Sequence, residues 1–271
     1  MHICIIIFTL FIVIYKHTKN YNLSLFLSLI TLYNYTFHKY LKLQNINYKY
    51  NVKLFIYSII LSFAIYFNKS IKINNKINFI LLFYLFGTIS EYLIHKYIMH
   101  ANKNKLYYKI LHKIPLIKNI LLKNNKVHIN HHLNIKKNMN LKKNKKYGMY
   151  MGWNTTILGI IVLFIILTLS TKFSNYKLSF NKKIIISIIT SFMWNYIWNK
   201  THPHMHNYKS DFSIKNGPHD NNLLDLTFIT NILYKNHQNH HLQKGKRKGN
   251  YNVILLGADE WFGQNNIIIK N

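Results

Sequence analysis

The sequence predicts an all-α integral membrane protein with about four core transmembrane helices in two hairpins. Three observations predict this fold class: 49% of the 271 residues are apolar, the apolar residues form long blocks, and histidine motifs follow pairs of blocks. One block, residues 147–171, contains no charged side chain. As a helix it is long enough to cross the roughly 30 Å hydrocarbon core of a bilayer.

The N-terminal region, residues 1–51, consists of apolar stretches followed by a polar connector. Residues 1–15 and 21–37 predict one or two additional membrane helices. The first stretch lacks the basic start and the small-residue cleavage site of a secretory signal. It also contains the only cysteine, Cys4, which excludes a disulfide within the chain.

The rest of the chain, residues 52–271, is predicted to form one domain built around the two hairpins. The first hairpin is predicted at about 52–67 and 77–98, and the second at about 148–170 and 184–200. Lysines flank these runs, and their charged ends can reach the membrane surface while their aliphatic stems stay buried.

The polar segments 99–146 and 201–271 are expected to face the same compartment. The second hairpin leaves one side of the membrane and returns to it, so the segments before and after it lie on that side. The first segment carries thirteen lysines and no acidic residue. The positive-inside rule therefore favours the cytosolic side.

The formal net charge of +30 raises the possibility of nucleic-acid binding. Arg247 is the only arginine, however, and lysine, asparagine, isoleucine and tyrosine are all abundant, as is typical of an AT-rich coding sequence. We therefore expect no nucleic-acid partner, although a basic surface favours an anionic membrane.

Ten histidines form four motifs, H-x(4)-H, H-x-x-H-H, H-x(3)-H and H-x-x-H-H, each placed after a predicted hairpin. On a helix, positions i, i+3 and i+4 lie within about a 100° arc, so each H-x-x-H-H motif presents three imidazoles to one side. Three nitrogen donors on one face suit a metal ion. The ten histidines are His95, His100, His128, His131, His132, His202, His206, His237, His240 and His241.

Two of the motifs fit a regular helix poorly. His95 and His100 are five residues apart, about 140° around a regular helix, so they require a helix end, a local distortion or two different metals. His202 and His206 are i, i+4 partners, but Pro203 disfavours a helical conformation at His202 and favours a kink there. For His204 and His219 three roles remain open: metal ligand, hydrogen-bond donor that supports a ligand, or neither. The isolated histidines are interpreted as interfacial or capping residues, and they are His2, His17, His38 and His112.

The other residue types restrict the metal chemistry. With Glu91 and Glu260 as the only glutamates and no E-x-x-H motif, a carboxylate-bridged di-iron bundle is excluded, and one cysteine excludes a thiolate zinc site. An almost all-imidazole site with room for two metals remains, and imidazole binds iron, zinc and copper alike. Glu91, Asp220 and Asp225 are candidates for orienting imidazole N–H groups, with helix capping as the alternative for the two aspartates.

The four motifs around two hairpins resemble the fatty acid hydroxylase and sterol desaturase superfamily of integral membrane non-haem di-iron oxygenases. The resemblance covers about residues 52–265 and is closest in motif order to the fatty acid 2-hydroxylases. The ending KGKRKGNYNVILLGADEWFG is also similar to the tail that follows the last histidine motif in many members. The resemblance implies a cytosolic helical cap in which the ten histidines hold two iron ions, with zinc as an alternative occupant in isolated protein.

Two features depart from the 2-hydroxylases. The 27 residues between His100 and His128 form a longer, lysine-rich gap, and no cytochrome b5-like domain with an HPGG motif precedes the membrane region. Electrons are therefore expected from a separate cytochrome b5 or reductase.

The function that the resemblance implies is O2-dependent hydroxylation of a lipid C–H bond in lipid biosynthesis, with no catalytic residue beyond the metal ligands. A fatty acyl or sphingolipid chain is the expected substrate, and a sterol or lipid desaturase is the alternative within the same chemistry. Outside it, a metal transporter or a structural metal protein remains open. The family's usual location is the endoplasmic reticulum membrane, with the catalytic face cytosolic.

Overall fold

The structure is a computed structural model, and it describes residues 2–43, 73–142, 150–206, 227–243 and 249–262. These residues form helices and connecting turns, and their single extended pairing is an isolated bridge between Ile135 and Leu141. The predicted all-α class is confirmed for the described residues.

Nine α-helices succeed one another in the described part of the chain, and a π-helical turn, Ile94–Met99, continues the third of them. The helices are α1 (His2–Thr18), α2 (Tyr21–Leu43), α3 (Asn75–Leu93), α4 (Leu106–Leu111), α5 (Pro115–Asn134), α6 (Trp153–Ser174), α7 (Phe180–Met205), α8 (Thr227–Leu242) and α9 (Ala258–Trp261).

Two helical stretches are long and apolar enough to cross a membrane. They are α3 together with its π-helical turn, Asn75–Met99, and α6. The predicted run at 184–200 is helical within α7, which is less apolar than α3 or α6. The predicted helix at 52–67 and the predicted domain boundary after residue 51 lie outside the described residues. A total of four transmembrane helices therefore stays a prediction.

The predicted N-terminal stretches form α1 and α2. Ile7–Lys16 and Tyr21–Tyr33 are described apolar stretches within them. The two helices pack together through Ile14, Leu23 and Leu27. Whether either helix crosses a membrane stays a prediction.

Polar residues set the ends of the long helices. Asn74 caps α3 by accepting the backbone N–H of Lys76 at 2.9 Å, and Ser179 caps α7 by accepting that of Lys182 at 3.4 Å. Asn175 ends α6 with φ of 56°, in the left-handed region that asparagine tolerates. A short turn therefore joins α6 to α7, as expected for a hairpin.

Helices α6 and α7 lie very close together at Gly159. A Cβ atom at this position would lie 2.6 Å from Ser191 Oγ. The Ser191 hydroxyl donates to the Thr156 carbonyl at 2.7 Å, and Asn195 donates to the Thr156 hydroxyl. Glycine is therefore required here for close packing of the hairpin.

Helix α7 continues through Pro203, contrary to the local preference of the residue before a proline. His202 is helical, and the helix ends only at Met205. The last turn is buried on all sides, with each of residues 201 to 206 at most 6% exposed where its exposure is given. Burial in the tertiary structure therefore outweighs the local steric preference.

The C-terminal segment, residues 249–262, packs against α2 and α3. Tyr251, Ala258 and Trp261 are buried in one cluster with Leu32 and Tyr92. The Trp261 indole N–H donates to Thr36 Oγ1 at 2.7 Å, although these residues are 225 positions apart. The segment is therefore anchored on α2 and α3.

Candidate metal centre

The structure gathers nine of the ten motif histidines into two groups. Within each group one ring nitrogen per residue lies within 4.8 Å of all the others. The first histidine group comprises His95, His100, His128, His132 and His240. The second histidine group comprises His131, His206, His237 and His241.

The first group combines residues from three parts of the chain: the π-helical turn, α5 and α8. His128 is central, since its Nε2 atom lies 3.1 Å from that of His95, 2.9 Å from that of His100 and 3.0 Å from that of His132. His240 Nε2 completes the ring at 3.0 Å from His100 and 3.1 Å from His132.

The second group combines the ends of α5, α7 and α8. His237 Nε2 lies 3.0 Å from that of His206 and 3.1 Å from that of His241. His131 Nε2 lies 3.2 Å from that of His241. Each H-x-x-H-H motif contributes to both groups, which makes the two groups neighbours.

The π-helical turn explains the spacing of the first motif. The His100 N–H donates to the His95 carbonyl at 3.0 Å, an i to i+5 bond in place of the α-helical i to i+4 bond. The wider turn brings residues five apart onto one face, and the two rings stack with centroids 5.2 Å apart. Of the three possibilities left open by the sequence, a local distortion is therefore the one observed.

The contacts among the Nε2 atoms fit a shared cation better than hydrogen bonds. An imidazole Nε2 carries either one proton or one lone pair, so it forms one in-plane hydrogen bond, yet His128 Nε2 contacts three other Nε2 atoms. Nitrogen ligands about 2.0–2.1 Å from one ion lie roughly 3 Å apart. These buried groups can therefore hold a metal ion.

Backbone carbonyls orient several of the rings. His95 Nδ1 lies 2.5 Å from the Tyr251 carbonyl and His240 Nδ1 lies 2.8 Å from that of Gly249, while in the second group His206 Nδ1 lies 3.2 Å from that of Met139. A carbonyl only accepts, so each Nδ1 carries the proton and each Nε2 presents its lone pair to the group.

The environment keeps the ligand candidates uncharged. Burial and the neighbouring histidines lower the pKa of five rings on α5, on α8 and at the end of α7, because a protonated imidazole is disfavoured both by desolvation and by other positive charges. The five are His128, His132, His206, His237 and His241. They are neutral at physiological pH, which is the form that binds metal.

His202 lies beside the second group. Its ring centroid is 5.0 Å from those of His131 and His206 and 4.9 Å from that of His237, and it stacks on Trp198 at 4.5 Å. It is not part of the 4.8 Å set of nitrogen atoms. Its role as a ligand, like that of the other nine histidines, stays a prediction.

The remaining candidates are placed as follows. His204 is buried but belongs to neither group. His219, Asp220 and Asp225 lie outside the described residues. The Glu91 carboxylate accepts backbone N–H groups of the C-terminal segment, and its described hydrogen bonds do not include one from a histidine. Sequence reasoning did not single out Asp259, whose carboxylate accepts the backbone N–H groups of Tyr251 and Asn252. The only sequence feature that points to Asp259 is its place in the ending KGKRKGNYNVILLGADEWFG.

An apolar cavity of about 140 Å³ adjoins the first group. Residues of α3, α6, α7 and the C-terminal segment line it, and His95 and Met99 form part of its wall. Most of the remaining lining is apolar, including Leu158, Val162, Leu163, Ile166, Trp194 and Leu255. The cavity thus lies between the apolar helices α3 and α6 and the candidate metal centre.

The chain matches no protein-family model, no curated protein and no solved structure. Its function is therefore inferred from the histidine geometry and from the helices that carry it.

Proposed function

We propose that the protein is a membrane non-haem di-iron oxygenase that hydroxylates a C–H bond of a lipid, with one iron ion in each histidine group. The observation that carries the proposal is the convergence of nine imidazoles into two adjacent groups. His132 and His241, one from each group, have ring centroids 4.2 Å apart, which supports a pair of metals rather than two independent sites.

Two iron ions held by these histidines would use external electrons to activate O2 and would oxidise an unactivated C–H bond. The chain contributes neutral nitrogen donors, which leave each ion with its positive charge. Its ring N–H groups point away from the centre to carbonyls such as those of Tyr251 and Gly249, so the lone pairs converge. Burial of five of the nine grouped rings limits access of bulk water to the centre.

The apolar cavity supports an acyl chain as the substrate. A dry apolar cavity of about 150 Å³ accommodates a molecule the size of benzene. At about 140 Å³, the cavity beside His95 can hold a short stretch of hydrocarbon chain. A fatty acyl or sphingolipid chain entering from the membrane would then present one of its carbon atoms to the metal centre.

The membrane setting belongs to the same proposal. Asn75–Met99 and α6 are apolar enough to span a bilayer, and the four-helix arrangement would add the predicted helix at 52–67 and α7. Both histidine groups would then lie at the cytosolic surface of the endoplasmic reticulum, where a separate cytochrome b5 or reductase can deliver electrons.

A structural metal protein is the second candidate, and one observation favours it. The second group has four histidines, enough to close a tetrahedral zinc site, and structural zinc sites have no open position. A sterol or lipid desaturase remains the alternative within the oxygenase chemistry.

Lipid mass spectrometry tests the proposal. Cells with the wild-type protein, with His128→Ala or with no protein would receive uniformly deuterated palmitate and a labelled sterol precursor. We expect acyl species with one added oxygen in the wild type alone. Acyl species that have lost two deuterium atoms would move the assignment to a desaturase, and unchanged lipids in cells whose protein contains zinc would favour the structural site.

A further inference from the structure

The C-terminal segment contributes no histidine to either group, yet it carries two of the carbonyls that orient the first group. The Tyr251 carbonyl bonds His95 Nδ1, and the Gly249 carbonyl bonds His240 Nδ1. His95 precedes Tyr251 by 156 residues and lies in the π-helical turn, whereas His240 lies near the end of α8, so the segment joins these two elements. Its position therefore affects two rings at once.

Glu91 holds this segment from within α3. One carboxylate oxygen accepts the backbone N–H groups of Val253 and Ile254 at 3.3 and 3.0 Å, and the other accepts that of Leu255 at 2.8 Å. The second oxygen also accepts Asn252 Nδ2 at 3.4 Å. The carboxyl group thus accepts three backbone N–H groups of a turn whose donors would otherwise be buried without partners, together with one side-chain amide.

Asp259 holds the same turn from the other side. Its two oxygens accept the N–H groups of Tyr251 and Asn252 at 2.7 and 2.6 Å, and its own N–H donates to Asn252 Oδ1 at 2.9 Å. The side chain is fully buried. The hydroxyl of Thr88 adds a bond to the Leu255 carbonyl at 2.7 Å, which ties the turn to α3 a second time.

We propose that Glu91 and Asp259 are positioning residues for the first histidine group, acting through the carbonyls of Tyr251 and Gly249. The inference rests on the proposed metal centre but not on the metal's identity or on lipid oxidation. If the inference is correct, weakening the hydrogen bonds from the C-terminal segment to the Glu91 and Asp259 carboxylates (the two-carboxylate clamp) lowers the metal affinity of the first group. The second group, in which Met139 supplies an orienting carbonyl, should be affected much less.

Metal content in three backgrounds tests the inference. Glu91→Gln keeps the side-chain shape but places an amide N–H₂ opposite backbone donors, so it loses part of the clamp. The variant would be made in the wild type, in His95→Ala and in His206→Ala, and the detergent-purified proteins would be equilibrated with a competing chelator before metal analysis. Supporting contacts of metal ligands typically change affinity by about 10–100-fold.

The expected result is a dependence on background. Glu91→Gln should remove the first-group metal from the wild type and the remaining metal from His206→Ala, but nothing further from His95→Ala, whose first group is already disrupted. Equal losses in the His95→Ala and His206→Ala backgrounds would show a general folding role and overturn the proposal. Unchanged metal affinity in the wild-type background would overturn it as well.

Two further variants keep the test decisive if Glu91→Gln does not fold. Asp259→Asn disturbs the clamp from its second side and should give the same dependence on background. Ser170→Ala, which removes a buried hydroxyl bonded to the Ile166 carbonyl within α6, should leave metal content unchanged. A wild type that binds no metal would instead refute the proposed metal centre, and metal binding without lipid oxidation would refute only the proposed reaction.

Discussion

His128 has the most demanding position of the described histidines. Its Nε2 atom lies within 3.1 Å of three other Nε2 atoms, whereas one imidazole nitrogen can satisfy only one hydrogen bond. Replacing the ring therefore tests the metal interpretation directly. A structural hydrogen-bond network would lose only one hydrogen bond, whereas a metal site would lose a ligand.

We predict that His128→Ala abolishes lipid oxidation and removes the metal of the first group, while the protein still inserts into membranes. The matched control is His112→Ala, because His112 belongs to neither group and packs against Tyr108 with ring centroids 5.4 Å apart. Metal analysis and lipid mass spectrometry of both variants provide the measurement. A fully active His128→Ala protein would exclude this residue from the site.

His202 gives a second prediction at the scale of single residues. Phenylalanine at this position keeps the aromatic stacking on Trp198 but removes both nitrogen atoms. We expect His202→Phe to lower the metal content of the second group as His206→Ala does, because the ring is surrounded by three members of that group. Retention of all metal after chelator treatment would assign His202 to packing.

At the scale of elements, the hairpin of α6 and α7 forms part of the cavity wall, which includes Gly159 and Ser191. Its helices approach closely at Gly159, where Ser191 donates to the Thr156 carbonyl. No sequence motif marks Gly159 as different from Gly152, which precedes α6 and has no atom within 4 Å of a Cβ position. The two glycines therefore form a matched pair.

We predict that Gly159→Ala lowers the free energy of unfolding by about 1–3 kcal/mol, the usual cost of overpacking, and that Gly152→Ala has little effect. Adding Ser191→Ala to Gly159→Ala should recover part of the loss, because it removes the Oγ atom that the new methyl group would contact. Thermal unfolding in detergent compares the three variants. Equal stability of Gly159→Ala and Gly152→Ala would argue against the close helix packing.

At the scale of the whole molecule, the two histidine groups bring together segments that lie before α6 and after α7. His128 to His132 precede α6, and His237 to His241 follow α7. If α6 and α7 both cross, the loop between them lies on the opposite side. Lys137, which precedes α6, and Lys177, in the loop between α6 and α7, are both exposed. They would then lie on opposite sides of the membrane.

We therefore predict opposite labelling of Lys137→Cys and Lys177→Cys by a membrane-impermeant maleimide in sealed microsomes, each in a Cys4→Ser background. Position 137 should react from the cytosolic side, and position 177 only after the membrane is opened with detergent. The same accessibility at both positions would contradict a spanning hairpin.

Much of this organisation could be predicted from the sequence because it depends on local pattern. Charge-free runs of apolar residues indicate the long helices, and the i, i+3, i+4 spacing of the H-x-x-H-H motifs places three rings on one side of α5 and α8. The expectation that Pro203 disfavours a helix at His202 was wrong. Proline at 203 does not interrupt α7, because the buried end of that helix is stabilised by tertiary packing.

By itself, the sequence determined the helical class, the apolar helices and the histidines that form the candidate site. Only the tertiary structure decided how these histidines divide into two groups, because the division depends on rings from α5, α7 and α8 meeting at one place. It also decided that a π-helical turn reconciles His95 with His100, and that Glu91 acts on the C-terminal segment. These contacts join residues up to 164 positions apart, and no local pattern encodes them.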